Sequence, residues 1–145
     1  MTDKEAAAKE WLNRYEPLRS EIRSMELQLE EMRANVNKSV GIPKEVCVQT
    51  QPQNKQDERI AEIVDFEEKI KQKREILKAK EKTTLRTIDK MSDPVKRIIL
   101  IYRYIYRRSW EYIGRKMHYK SSYIYEMHLK ALTAIYPLID DFSEV

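Results

Sequence analysis

Apolar or aromatic residues recur at Trp11, Tyr15, Leu18, Ile22, Met25, Leu29, Met32 and Val36, a spacing of 4, 3, 4, 3, 4, 3, 4. Side chains three and four apart share one face of an α-helix, so this seam commits the segment to a helix that must bury its stripe against another. Glu21, Arg23, Glu26, Gln28, Glu30, Glu31 and Arg33 fall between the seam positions and supply its solvated flanks. Pro17 interrupts the pattern, because an interior proline removes one backbone hydrogen bond and clashes one turn back. Trp11 and Tyr15 stay in register across it. A single kinked helix over residues 3–38 is therefore expected, the other arrangement being a new helix with Pro17 near its first position.

Residues 37–56 break the pattern with Gly41, Pro43, Pro52 and a polar run, and read as a loop. Periodicity returns at Ile60, Ile63, Ile70, Leu77, Thr84, Ile88 and Met91, with Phe66 and Ile76 beside the stripe. Asp65/Lys69 and Glu67/Lys71 support a second helix as i, i+4 pairs in the favourable order. Two helices of matching length joined by a loop predict an antiparallel coiled-coil hairpin over residues 1–90, although such seams pair equally well with another chain. It reads as a spacer or oligomerisation module. The chain holds only two glycines, Gly41 and Gly114, so no Gly-rich phosphate cradle can be written.

Charge is uneven along the chain. Residues 1–90 carry 19 basic and 18 acidic residues, whereas residues 94–136 carry nine basic residues against Glu111 and Glu126. The positive field is thus confined to the final third, residues 91–145. There Asp93-Pro94 is a helix start, opening a helix to about Arg107 that buries Val95, Ile98, Ile99, Ile101 or Tyr102, and Ile105. Ser109 caps a short helix from Trp110 to Met117. Ser121 or Ser122 caps a last helix ending by Tyr136.

A short helix, a tight turn and a longer helix can be tested against helix-turn-helix spacing. With Gly114 as the small residue where the helices cross, the buried positions become Ile113, Met117, Tyr119, Ile124 and Met127, all apolar or aromatic, with Trp110 completing that core. His118 occupies the turn position that commonly needs a positive φ. In such a motif the second helix enters the major groove of double-stranded DNA with its first turns. With Ile124, Met127, Ala131 and Ile135 inward, the opposite face carries Ser122, Glu126, Leu129 and Thr133, flanked by Ser121, Tyr123 and Tyr125. Ser121, Ser122, Tyr123, Tyr125 and Glu126 are the candidate base readers, Glu126 by accepting from a cytosine amino group. Arg107, Arg108, Arg115, Lys116, Lys120 and Lys130 are the candidate phosphate contacts.

Trp110-Glu111-Tyr112-Ile113-Gly114, Tyr123-Ile124-Tyr125 and Lys130-Ala131-Leu132 resemble the region-4 helix-turn-helix of bacterial sigma-70 factors. Together with the charged hairpin, Val48-Gln49-Thr50 and Arg103-Tyr104, the arrangement is similar to sigma-region-4-like proteins of phages and prophages, of the ArpU and RinA late-gene regulator type. The resemblance implies an all-α protein that regulates phage late transcription from the bacterial host cytoplasm. Where sigma factors present Arg, Glu, Arg and Gln to the promoter −35 element, this chain has Ser121, Ser122, Tyr125 and Glu126, which implies a different operator. The hairpin is expected to make a homodimer or to reach host RNA polymerase. The rival expectations are a small-terminase-like packaging protein, and an adaptor that binds polymerase and never touches DNA.

Nothing in the pattern calls for catalysis, a cofactor or a metal. His118 and His128 lack the Cys, Asp or Glu spacing of a zinc site or a nucleophile partner, and Cys47 has no nearby histidine. The apolar run Ile98 to Ile101 is too short to span a bilayer, so no membrane role is expected. Tyr102, Tyr104, Tyr106 and Tyr112 read as parts of a small core with hydroxyls near water.

Overall fold

Pro17 separates two helices rather than kinking one. In the computed structural model, which describes residues 1–40 and 52–143, α1 covers Asp3–Leu12 and α2 covers Glu16–Val40. Between them the chain turns: the Asn13 N–H donates to the Lys9 carbonyl, and the Trp11 carbonyl accepts from the backbone N–H and the guanidinium of Arg14. A proline in the first turn of a helix lacks only an N–H that would have no partner there, so a restart is cheaper than a kink. The continuous helix expected over residues 3–38 is corrected accordingly. At the other end of α1, the Thr2 hydroxyl accepts the Glu5 N–H while the Glu5 carboxylate accepts the Thr2 N–H, a reciprocal cap.

α3 runs Pro52–Asp89. Both α2 and α3 therefore enter the stretch 37–56 expected as loop; the rest of that stretch, with Cys47 and Val48-Gln49-Thr50, lies outside the described residues. α4 covers Pro94–Leu100, capped by the Asp93 carboxylate, which accepts the N–H groups of Val95 and Lys96. The α-helix expected to reach Arg107 ends at Leu100, and Ile101–Ile105 form a wider π-type turn. α5 is Trp110–Met117 and α6 is Ser121–Ile135, followed by a 3-10 turn at Tyr136–Leu138. The described chain is all-α. Among the described residues, no helix is long and apolar enough to cross a membrane.

Contacts divide the chain into Met1–Glu16 with Lys78–Val145, and Pro17–Leu77. The boundary expected between residues 90 and 91 is thus corrected: α1 and the end of α3 belong with the C-terminal helices. The reason is burial. Ala8, Trp11 and Leu12 of α1 and Ile88 and Met91 bury together with Leu100, Tyr104, Ala131, Leu132, Ile135 and Ile139. The Trp11 indole N–H also donates to the Asp141 carbonyl at 3.0 Å, so this large ring leaves no donor unsatisfied. A second cluster joins Ile99, Ile113 and Ile124, with Val95, Tyr102, Trp110, Met117 and Met127 packed around it. Ile98, expected inside, is 41% exposed, and its neighbours Ile99 and Leu100 take the buried positions.

Pro17–Leu77 is an antiparallel pair formed by α2 and the first part of α3. Leu29, Ile63 and Ile70 are its buried centre, with Met25, Met32, Val36 and Phe66 partly buried against them. Glu21 pairs with Lys73 at 2.9 Å, Glu26 with Arg74, and Arg33 with Glu67 at 3.4 Å. Glu21 and Glu26 near the start of α2 meet Lys73 and Arg74, whereas Arg33 further on meets the earlier Glu67, which is the antiparallel register. The seam from Met25 to Val36 therefore closes within one chain. Ile60, expected on the buried stripe, is exposed.

Candidate nucleic-acid interface

The turn between α5 and α6 is built from one short approach and one left-handed residue. A Cβ at position 114 would lie 2.7 Å from the Tyr119 carbonyl oxygen, so only glycine allows this closeness. The Tyr119 N–H donates back to the Gly114 carbonyl at 2.9 Å. His118 then takes φ 62° and ψ 41°, reversing the chain at the position where the spacing placed the positive φ. Ser109 opens α5, its hydroxyl accepting the Tyr112 N–H at 3.1 Å. α6 differs from expectation: Lys120 holds the cap position without a side-chain bond, and Ser121 is the first helical residue.

Of the expected motif core, Ile113, Gly114 and Ile124 are buried, and Trp110, Met117 and Met127 are partly buried beside them. Tyr119 is the correction, since it is 45% exposed. Its backbone makes the turn, while its ring leaves the core and meets Tyr123 with centroids 4.7 Å apart.

The first turns of α6 face outward. Ser122, Tyr123, Tyr125 and Glu126 are exposed and Ser121 is half-buried. Further along, the face expected to be open is only partly so: Leu129 is half-buried, while Thr133 is exposed. Leu129 packs against the main core, and the Thr133 hydroxyl donates to Glu5 Oε1 of α1 at 3.3 Å. A groove of about 550 Å³ remains there, lined by Glu5, Lys96, Glu126, Leu129, Lys130 and Ala134 among others.

Cations gather around Tyr112 of α5 and at the start of α6. Arg108, Arg115 and Lys116 lie 5.0, 6.0 and 5.6 Å from the centre of the Tyr112 ring, and Lys120 is exposed at the start of α6. None of these four forms an ion pair among the described residues. Arg107 behaves differently: at φ 57° it pairs with Glu16 at 2.9 Å and donates to Asn13 Oδ1 at 2.9 Å. Its charge is paired with a carboxylate of the same chain, unlike those of the other four.

Behind the exposed face lies a buried polar pair. His128 Nε2 and the Tyr104 hydroxyl share a hydrogen bond at 2.6 Å, and Nδ1 of His128 has no partner among the described residues. Burial, with smaller contributions from Lys9 and Arg103, lowers the His128 pKa from 6.5 to about 4, so the ring is neutral at ordinary pH. Burial likewise pushes the Tyr104 hydroxyl well above its ordinary value, opposed by Arg103. His128 packs on Trp110 at 4.6 Å, and Trp110 meets Tyr125 edge-on at 5.4 Å. The guanidinium of Arg103 lies 4.2 Å from the centre of the Trp110 ring.

Reading the sequence missed Lys96, Arg103 and the role of Tyr112. The last was findable in part, because Arg115 and Lys116 lie three and four after Tyr112 on the same side of α5. Among the described residues, no group of three or more His, Cys, Asp or Glu could hold a metal ion. A scan against protein-family models and searches of curated proteins and of solved structures find no match to this chain.

Proposed function

We propose that this protein is a sequence-specific regulator of phage transcription, late genes by the family resemblance, whose α6 enters the major groove of duplex DNA. One observation carries the reading: Ser122, Tyr123, Tyr125 and Glu126 at the start of α6 are exposed, and Arg108, Arg115, Lys116 and Lys120, on α5 and the segments that flank it, form no ion pair among the described residues. A polar, outward helix start together with such cations suits base edges flanked by phosphates. Lys130, one turn beyond Glu126, adds a fifth cation. In the groove, α5 crosses the backbone and Ser122, Tyr125 and Glu126 meet base edges. Neither a nucleotide cofactor nor a chemical step enters this reading.

Titrating fluorescent duplex DNA at several salt concentrations tests the proposal. With about five phosphates neutralised, log Kd should rise with log salt at a slope of roughly 4 to 5. Lys116→Glu with Lys120→Glu should abolish retention at physiological salt. Retention that ignores salt, or survives the double charge reversal, would remove the proposal and leave the protein-binding adaptor.

A further inference from the structure

Between the start of α5 and the first turns of α6 lies a cleft of about 400 Å³, lined by Trp110, Glu111, Ser121, Ser122, Tyr125 and Glu126. Its chemistry contrasts with the face around it. Arg115, Lys116 and Lys120 are cationic, whereas this lining carries two carboxylates, three hydroxyls, two aromatic rings and no cation. A phosphate seated there would meet Glu111 and Glu126 and be repelled. A base edge in the major groove would not, because exocyclic amino groups donate to carboxylates and the 5-methyl group of a pyrimidine packs on apolar surface.

The aromatic part of the lining is also held in place before any ligand arrives. Trp110 is fixed by Arg103 at 4.2 Å, by the buried His128 ring at 4.6 Å and by Tyr125 at 5.4 Å. His128 is itself held by its bond to Tyr104. Tyr125 meets Trp110 at 5.4 Å and His128 at 5.8 Å and still remains 41% exposed. A contact made by a side chain already ordered loses little further conformational entropy on binding.

Resting on the DNA-binding reading above, we propose that this cleft reads a 5-methylpyrimidine: the methyl group sits against Tyr125 and Trp110 while Glu126 accepts from an amino group on the adjacent base. Thymine and 5-methylcytosine share that chemistry. The operator is then defined at this position by a methyl group as much as by a hydrogen-bond pattern.

The test uses the full chain and a duplex selected from a random library. Each thymine is replaced singly by deoxyuridine, which removes only the methyl group, and each cytosine by 5-methylcytosine, which adds one. The expected result is one position at which losing the methyl weakens Kd about fourfold, the effect of exposing one buried methyl-sized group. Tyr125→Ala should make the two probes equal, and Tyr125→Phe should keep the preference; circular dichroism checks that both surface variants fold. A gain confined to one methylated cytosine supports the same cleft and names the other source. Equal affinity for every probe, or a preference that survives Tyr125→Ala, overturns the cleft assignment while DNA binding stands. Failure to select any duplex, with an arginine-rich peptide bound at Glu111 and Glu126 instead, overturns both readings.

Discussion

Two regions of this molecule draw on the same heptad seam and bury it differently. In Pro17–Leu77, α2 and α3 can cover only one stripe of each other, so the buried centre is Leu29, Ile63 and Ile70 and the margins are the pairs Glu21/Lys73 and Arg33/Glu67. Leu27, on the far side of α2, is 68% exposed. In Met1–Glu16 with Lys78–Val145, helices meet from several directions, and Trp11, Leu100, Tyr104, Leu132 and Ile135 are buried in a single cluster. A two-helix element stays thin however regular its seam. Adding α1 to the terminal helices makes a core deep enough to hold a histidine without a charge.

The comparison is broken most directly at Trp11. Trp11→Ala should cost about 3–5 kcal/mol, and amide exchange should show lost protection in α5 and α6 with residues 25–36 and 63–70 unchanged. Ile70→Ala should do the reverse at a smaller cost of about 2 kcal/mol. If Trp11→Ala loosened the hairpin and spared α6, α1 would not belong to the terminal unit.

Acid sharpens the contrast next. Between pH 6.5 and about 4 the unfolded chain binds a proton at His128 that the folded chain refuses, so stability is full above this window and declines as pH falls through it. The loss should reach about 3 kcal/mol, measured by urea unfolding at pH 7 and pH 4 and followed through α6. His128→Phe should remove this component. An unchanged acid dependence in that variant would show that His128 does not carry it.

The smallest effect belongs to the hairpin margin. Glu21→Gln should change stability by less than about 0.5 kcal/mol, and a double-mutant cycle with Lys73→Gln should give coupling of the same size that shrinks in 0.5 M salt. A coupling above 1 kcal/mol would mean that the margin, rather than the stripe, holds the pair together.

Much of this architecture was legible because local rules decide it. Asp93-Pro94, Ser109 and Gly114 each satisfy a requirement of their own few neighbours: an N-cap, a proline without a needed N–H, and a missing Cβ. Pro17 was harder to read, since side-chain periodicity persists across a backbone break and cannot report it. Tyr119 misled for a related reason: the spacing places a residue at the turn, but the backbone there does the packing and the ring is released to the surface. Of the candidate interface, Ser122, Tyr125 and Glu126 follow from 100° steps along α6, whereas the hydrogen bond from Thr133 to Glu5 joins residues 128 apart in sequence.

By itself, the amino-acid order determined the helices, the left-handed turn at His118, and the concentration of positive charge in residues 94–136, because each depends on residues within a turn or two of one another. Tertiary structure alone decided that the seam divides after Tyr15, that α1 joins the terminal helices, that Arg107 is neutralised by Glu16, and that His128 is buried beside Tyr104. Those outcomes depend on which apolar surfaces find each other across long stretches of chain, and periodicity states only that a face must be buried, not against what.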